Sequence, residues 1–442
     1  MTEIRKIGHD RSGMPAELWD FVLKELPAAD LRSCFSLSRL LHYLARPLVF
    51  THITIHAGIP TWKTSFNEDC RAANIQLMRR RKLRNTEVLQ RIADDTQIAR
   101  IVERMTVRVH RHNEGTTFDL GVDMLSSKFK SLQVLALEGN HQNNSHDVEE
   151  QLRTWIGNAP RTLLHLSVSE YHIVWNTLPR VLSKLHELSL YDPPRLSEFG
   201  IVLGSCSQLR TLNIYTNSSV CEAEFHAVLS GAAPDSLPHL TSFRFVCGDD
   251  DDAFIQDQGP LTAFIQNKKG MRRVELQLTA AFIGIDDYTR FVDILAGLPQ
   301  LEIVGLRLRG DSTFTHEHLR LLDERLPLRV SALLLVWDFP DSDVPVRNWT
   351  AMLEKRHLLG YLHVLDITSM LLDLRDSLLK AHPPALQLVG WGTRLDWLQR
   401  DSPIDEAVYG APWKDTTVAF RTVEDFGYED WEWLLRSHLY SY

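Results

Sequence analysis

A short apolar pattern recurs nine times between residues 132 and 367 of this 442-residue chain. Each copy reads apolar, two variable residues, apolar, one variable residue, apolar, and successive copies start 22 to 32 residues apart. Such a period indicates a repeat array, because each unit buries its apolar side only by stacking on a neighbour. The copies are Leu132-Leu135-Leu137, Leu163-Leu166-Val168, Leu185-Leu188-Leu190, Leu209-Leu212-Ile214, Leu240-Phe243-Phe245, Met271-Val274-Leu276, Leu301-Val304-Leu306, Val330-Leu333-Leu335 and Leu362-Leu365-Ile367.

Each repeat is predicted to contain one strand and one helix. The last two apolar residues of a copy lie two positions apart, so both side chains point to the same side of a short strand. Between the copies, apolar residues follow helical spacing. Three such sets are Val148-Leu152-Trp155, Phe291-Ile294-Leu295 and Leu319-Leu322-Leu326.

This region resembles a degenerate leucine-rich repeat array. The resemblance implies an α/β solenoid with parallel strands on the concave side and helices on the convex side. The asparagine expected eight residues after the first leucine is present only as Asn140 and Asn217, so the asparagine ladder of the family is mostly missing. An ordinary α/β domain with alternating strands and helices is the alternative.

Residues 14–50 form a separate apolar segment that is too short to close a large core of its own. Pro15 fits the first turn of a helix, and Leu18, Val22 and Leu26 follow at four-residue spacing as one apolar stripe. Pro27 is expected to end this helix. A second helix is expected to carry its own stripe and to end at Pro47; the stripe is Leu31, Cys34, Leu37, Leu41 and Leu44.

The segment resembles an F-box of the fungal-type F-box/leucine-rich repeat family. The matching residues are Met14-Pro15-x-Glu17-Leu18, Leu26-Pro27-x-x-Asp30-Leu31, Cys34-x-x-Leu37-Ser38-Arg39 and the closing run 44–50. The family uses this module to bind a Skp-type adaptor of a cullin–RING ubiquitin ligase. Carried over by position, the adaptor-binding residues are Pro15, Leu18, Leu26, Pro27, Leu31 and Leu37.

The resemblance implies a non-catalytic substrate receptor that holds a client protein on its repeat surface. Residues between and just after the two strand leucines are expected to face the concave side, and tyrosine and arginine concentrate binding energy at interfaces. The predicted client-binding residues are Tyr191, Tyr215, Arg244 and Arg307, with the two tyrosines side by side. The alternative is a stand-alone repeat scaffold whose N-terminal helices only cap the core.

Five predicted segments follow from these patterns: a tail (1–13), the F-box (14–55), a helical connector (56–97), the repeat array (98–385) and a C-terminal cap or tail (386–442). The last segment is rich in tryptophan, including Trp431 and Trp433. Terminal repeats need a cap over their open core, which is the simpler role for this segment. A second interpretation makes the tryptophans part of a binding surface.

Composition and motifs exclude several function classes. The net charge of −9 disfavours nucleic acid as a partner, and five scattered cysteines fit a reducing compartment. No secretory signal or membrane-spanning run is visible, so a cytoplasmic or nuclear protein is expected. No nucleotide-binding, hydrolase or metal motif is found, which predicts neither enzyme activity nor a cofactor. The basic run 79–84 is interpreted as a charged solvent face of a helix, with a nuclear localisation patch as the alternative. The acidic run 249–252 is interpreted as a solvated loop, with metal or basic-partner binding as the alternative.

Overall fold

The structure is a computed structural model that forms two compact units, Met1–Leu185 and His186–Tyr442. No described helix is long and apolar enough to cross a membrane. Pro27, one of the predicted adaptor-binding residues, and the acidic run 249–252 lie outside the described residues. The described residues are 14–26, 28–57, 76, 80, 83–92, 94–109, 129–139, 146–170, 173–248, 258–279, 281–282, 284–310, 312–366, 374, 377–378, 385–392, 394–399, 408–409 and 429–435.

The first unit contains three N-terminal helices followed by parallel strands and further helices. Its helices are α1 (Ala16–Lys24), α2 (Ala28–Cys34), α3 (Arg39–Thr51), α4 (residues 83–92), α5 (Thr96–Ile101), α6 (His146–Gly157) and α7 (Pro179–Leu182). Its strands are β1 (His52–Ala57), β2 (Arg104–Val109), β3 (Val134–Glu138) and β4 (His165–Ser169).

The second helix of the N-terminal segment is wrongly predicted as one element. A turn separates α2 from α3, because Ser38 starts a new helix by accepting a hydrogen bond from the Leu41 backbone N–H at 3.1 Å. Pro47 lies inside α3 and does not end it. The missing N–H of proline removes one helical hydrogen bond, which a thirteen-residue helix tolerates here.

Helix α1 is apolar on two faces. The predicted stripe was Leu18, Val22 and Leu26, yet the side chain that α1 buries completely is Leu23. Trp19 and Leu26 pack beside it against α2 and α3, so the inward stripe is Trp19, Leu23 and Leu26. Leu18 and Val22 are therefore left on the outward face.

The four strands among the described residues of the first unit pair in parallel and in sequence order. Met105, Leu135 and Leu166 are aligned across β2, β3 and β4, and the last two are positions of the predicted repeat. Strand β1 was not predicted. It follows α3 without a loop and pairs with β2, with Ile53 and Ile55 buried, so alternation at these positions was the available signal.

The second unit continues the strand–helix alternation. Its strands are β5 (Glu187–Tyr191), β6 (Thr211–Thr216), β7 (Ser242–Cys247), β8 (Arg273–Gln277), β9 (Ile303–Arg309), β10 (Ala332–Asp338), β11 (Tyr361–Asp366), β12 (Leu388–Trp391), β13 (Arg394–Gln399) and β14 (Val408–Tyr409). Its helices are α8 (Gly200–Ser205), α9 (Ser219–Ser230), α10 (Gly259–Gln266), α11 (Ile285–Ala296), α12 (His316–Arg325), α13 (Val346–Glu354) and α14 (Glu429–Leu435).

Strands β5 to β12 pair in parallel in sequence order, and β13 and β14 then run antiparallel. The structure thereby confirms the predicted mixed α/β fold, in which parallel strands alternate with helices. One backbone ladder fixes the register: the residue before each strand donates its N–H to its counterpart one repeat earlier. The ladder runs His186, Arg210, Thr241, Arg272, Glu302, Ser331, Gly360 and Gln387, with N···O distances of 2.7 to 2.9 Å.

The ladder corrects the last copy of the pattern. Leu362 pairs with Leu333 and Val364 with Leu335, so the ninth copy is Leu359-Leu362-Val364. The predicted copy, Leu362-Leu365-Ile367, is three residues late. Both fit the sequence pattern, because β11 is apolar on both sides and Leu365 belongs to the other face of the sheet.

One face of this sheet, named here the helix face, packs against the connecting helices. Phe225 of α9 stacks on Phe245 of β7 with ring centroids 4.9 Å apart, and Phe264 of α10 meets Phe243 edge-on at 5.8 Å. Both strand residues are the repeat's aligned apolar pair. Stacking of neighbouring repeats therefore builds one continuous core from these pairs.

A buried arginine fastens two successive repeats. The Arg356 guanidinium follows α13 and is fully buried; it donates to the Leu326 and Asp323 carbonyls at 2.9 Å each. It also bonds the Met352 carbonyl and pairs with the Asp323 carboxylate at 3.0 Å. Arg356 thus satisfies the free carbonyls at the end of α12, which would otherwise be buried without donors.

Replacing Arg356 by leucine is expected to destabilise the second unit by about 3–5 kcal/mol, because carbonyls and a carboxylate lose their buried donor. Urea unfolding followed by tryptophan fluorescence measures this. Lys355→Leu is the matched control: its ammonium pairs with the same Asp323 but is mostly exposed, so little change is expected. Equal effects of the two substitutions would contradict the fastening role.

Candidate functional site

The predicted adaptor-binding residues divide into an exposed and a buried group. Pro15, Leu18 and Leu37 are exposed, with Leu18 54% and Leu37 70% accessible. Leu26 is half-buried, and Leu31 is buried in the small core of the three helices. The first group is available to a partner, and the second holds the helices that present it.

Sequence reasoning missed further exposed apolar residues on the same helices. Phe21 is 67% accessible, and Met14, Val22 and Tyr43 are also exposed. Leu18, Phe21 and Val22 lie on one face of α1, and Met14, two residues before the helix begins, extends the same i, i+4, i+7, i+8 spacing. We name Met14, Leu18, Phe21 and Val22 the outward stripe. The available signal was that α1 carries more apolar residues than one stripe accommodates.

The second candidate surface is the sheet face opposite the helix face, named here the tail face. On β5 to β8 its central row is polar and aligned strand by strand: Ser189, Asn213, Arg244 and Glu275. On β9 to β11 an apolar cluster lies on the tail face beside Arg307 and His363, and the C-terminal helix α14 packs on that cluster. The cluster contains Ile303, Ala332, Leu334, Val336, Tyr361, Leu365, Leu388, Leu395, Trp431, Trp433, Leu434 and Leu435.

Arg244 is the centre of a buried polar network under α14. Its Nε donates to Glu275 Oε2 at 2.6 Å, and its terminal nitrogens donate to the Tyr215 hydroxyl and the Trp433 carbonyl. The guanidinium carbon lies 4.0 Å from the centroid of a Trp433 ring, in a cation–π contact. Gln277 Nε2 completes the network by donating to Glu275 Oε1 at 2.7 Å. An arginine and a glutamate, 1% and 0% exposed, are thus paired in the sheet.

The edge of the α14 contact is charged and partly exposed. Asp430 forms ion pairs with Arg273 at 2.6 Å and with Arg272 at 3.8 Å. Next to Asp430, Trp431 packs on Tyr361 with ring centroids 5.7 Å apart. An aromatic centre with a charged rim is the usual anatomy of a protein–protein contact.

Tyr191 and Tyr215 lie side by side, as the repeat spacing predicts. They are cross-strand partners on β5 and β6, and their rings stack with centroids 4.6 Å apart and planes 8° apart. Of the four predicted client-binding residues, Tyr215 and Arg244 are buried, and Arg244 lies under Trp433 of α14. Tyr191 is half-buried.

Arg307 is also buried, and its terminal nitrogen pairs with Asp338 Oδ2 at 2.9 Å. The predicted residues Arg244 and Arg307 therefore have acidic partners within the sheet. The pairing of Arg244 with Glu275 and Trp433 was not predicted, because these partners lie 31 and 189 residues away along the chain. The available signal was the apolar run Ala332–Trp337: a strand without polar alternation is buried on both faces, so something must cover the second one.

Burial holds two titratable groups on this face, Tyr215 and His363, in their neutral forms. Burial raises the pKa of the Tyr215 hydroxyl far above its ordinary value, and it lowers the pKa of His363 to about 4. The neutral imidazole makes two hydrogen bonds: Nε2 donates to the Gly392 carbonyl at 2.7 Å, and Nδ1 accepts from the Tyr361 hydroxyl at 2.8 Å. Within the described ranges, no cluster of three His, Cys, Asp or Glu side chains is arranged to hold a metal ion.

Comparisons with known proteins give limited information. No family model matches the chain, and no curated protein matches it. Among solved structures, it resembles a chain in the crystal structure of the TLR13–ssRNA13 complex, with 13% identity and a TM-score of 0.37. That alignment covers 67% of this chain and 36% of the other, so the chain spans about a third of that protein's length.

Arg244→Met is expected to destabilise the second unit by about 3–5 kcal/mol, because Glu275 stays buried without its cation. Adding Glu275→Leu is expected to recover most of this loss, since an apolar pair needs no compensation. Urea unfolding of the single and double variants measures the coupling. Arg320→Met, which removes an exposed arginine from α12, serves as the control and is expected to change little. Additive losses in the double variant would contradict the pairing.

Burial of neutral His363 is expected to make the protein less stable in acid. Its folded-state pKa of about 4 lies below the ordinary 6.5, so the unfolded chain binds more protons between these values and stability falls as pH falls. The free energy of unfolding of the wild type is expected to fall between pH 7 and 4.5, and His363→Gln is expected to make that fall smaller by about 2–3 kcal/mol. Urea unfolding of both proteins across this range measures it. Parallel pH profiles would contradict the assignment.

Proposed function

We propose that this chain is a non-catalytic substrate receptor of an SCF-type cullin–RING ubiquitin ligase. In this proposal α1 to α3 are an F-box that binds a Skp-type adaptor, and the following repeats are a leucine-rich repeat array that binds a client protein. Catalysis belongs to other subunits. The receptor contributes by raising the effective concentration of the client near the transferred ubiquitin.

The observation that carries the proposal is the outward stripe of α1. Leu18 and Phe21 are more than half exposed although the same helix buries Leu23 on its other side. A helix that is apolar on two faces needs a partner on both, and the described residues of the first unit cover only one of them. Leu37, exposed in the turn after α2, adds a further apolar contact on the same module.

The leucine-rich repeat interpretation is supported by the repeat itself. One strand and one helix alternate, neighbouring strands pair in parallel, and the aligned apolar residues stack on the helix face. Parallel strands whose connecting helices pack on one face are the arrangement expected of this family. The mostly absent asparagine ladder is consistent with a degenerate array.

A second candidate function is a stand-alone repeat scaffold. It is favoured by the direct continuation of α3 into β1, the strand that pairs with β2 in the first unit. Helices joined to a sheet edge without a loop are suited to capping it. The outward stripe distinguishes the two functions, because a cap needs only its inward face.

Leu18→Asp and Leu37→Asp are each expected to weaken adaptor binding about 30-fold or more, since a charge replaces an apolar contact at the centre of the interface. Pull-down of the purified chain with a Skp-type adaptor, followed by titration calorimetry, measures this. Leu358→Asp is the matched control, because Leu358 is equally exposed but lies in the second unit.

Circular dichroism separates lost contacts from lost fold. Leu31→Asp is expected to unfold the N-terminal helices, because Leu31 belongs to their core. The Leu18 and Leu37 variants are expected to stay folded. A folded wild type that binds no Skp-type adaptor would refute the ubiquitin proposal and leave the scaffold.

A further inference from the structure

The tail face combines a buried ion pair with a neighbouring apolar cluster. A core that never opens to solvent does not require such a combination. Arg244 and Glu275 form a fully buried ion pair beside the apolar side chains of β9 and β10. Burying two charges carries a large desolvation penalty, and an apolar pair of similar volume is often at least as stable. If α14 leaves the face, the same pair is hydrated and the penalty applies only to the covered state.

The position of the pair in the sheet agrees with this interpretation. Asn213, Arg244 and Glu275 occupy one aligned row, and Asn213 Nδ2 donates to Ser189 Oγ at 3.0 Å in the same row. This row is polar on four successive strands, as expected of a face built to meet water or a partner. Arg244 is buried by the packing of Trp433 over it.

The contact made by α14 has the composition of a peptide–protein interface. Two tryptophans serve as anchors: Trp431 packs against Tyr361, and Trp433 packs over Arg244. Asp430 matches the basic rim of Arg272 and Arg273. Tryptophan, tyrosine and arginine are the residue types that dominate binding energy at interfaces.

Helix α14 depends on this contact for its order. It has only seven residues, and an isolated helix of that length is marginal in water. Leu434 and Leu435 are buried against β9 and β10, so the sheet supplies the stabilisation that the helix lacks. A segment of this kind is replaceable by any other segment with the same side chains at the same spacing.

We propose that the tail face is a protein-binding surface occupied in this structure by the chain's own α14. The partner that binds there presents a short helical segment with the same chemistry: an acidic residue, a tryptophan directly after it, a second tryptophan two positions further on, and then leucines. It binds by displacing α14. The inference rests on the client-binding half of the proposed function and is independent of the adaptor-binding half.

The test uses a fluorescently labelled peptide with the sequence of residues 427–437 as the probe and the full chain as the receptor. Asp430→Arg in the full chain weakens the internal competitor by opposing Arg273. Fluorescence anisotropy is expected to show at least tenfold tighter peptide binding to this variant than to the wild type, in which the tethered copy competes at high effective concentration.

A charge exchange identifies the binding surface. Adding Arg273→Glu to the Asp430→Arg chain is expected to abolish binding of the unaltered peptide. In this double variant the tail is again complementary to residue 273 and competes with the peptide, so Trp433→Ala is added to weaken the tail. The resulting triple variant is expected to bind a peptide that carries Asp430→Arg more tightly than the unaltered peptide. Asp286→Arg, an exposed change on α11, is the control and leaves peptide binding as in the wild type.

Failure of the peptide to bind a folded Asp430→Arg chain would overturn the proposal. Assembly of that chain into dimers by exchange of tails would overturn it too, because the surface would then serve a second copy. If the variant unfolds, hydrogen exchange on the wild type decides. Amides of Glu429–Leu435 that exchange at least 100-fold faster than those of β9 and β10 support a displaceable helix, and equal rates refute it.

The adaptor experiment and the peptide experiment fail separately. The Asp430→Arg chain keeps the outward stripe intact, so it is expected to bind a Skp-type adaptor as the wild type does. Loss of adaptor binding in all chains would refute the ubiquitin proposal and leave the tail-face result unchanged. Loss of peptide binding alone would refute only the present inference.

Discussion

The register of the parallel strands is the constraint on which both units depend. Each strand buries its apolar pair only if the next strand aligns an equivalent pair beside it, as Phe243, Val274 and Val304 do across β7, β8 and β9. The backbone ladder before each strand fixes that alignment independently of the side chains. Loops and helices between the strands are therefore free to vary in length, and the starts of successive copies are unevenly spaced in the sequence.

This constraint explains which parts of the fold were predictable. The repeat, its parallel strands and helices such as α11 and α12 leave local patterns, and these predictions agree with the structure. Register within a strand that is apolar on both faces leaves no such pattern, so the last copy was placed three residues late around Leu365. The break before α3 depended on one capping residue, Ser38, which a longer apolar stripe obscured.

The tail face was not predictable from local sequence because its decisive contact joins Arg244 to Trp433, 189 residues apart. The repeat spacing correctly placed Tyr191 and Tyr215 on neighbouring strands, yet exposure depends on what else packs there. The apolar run of β10, Ala332–Trp337, was the available signal that something covers the second face. Which part of the tryptophan-rich C-terminal segment covers the face depends on the three-dimensional packing alone.

The two halves of the tail face play different energetic roles for whatever segment occupies it. Leu434 and Leu435 on the apolar half bury area that any leucine supplies equally well, so this half contributes affinity with little selectivity. Arg244 accepts only an occupant that offers it a carbonyl and an aromatic ring, since otherwise a buried cation loses partners. Selection between α14 and a competitor therefore depends on the polar half.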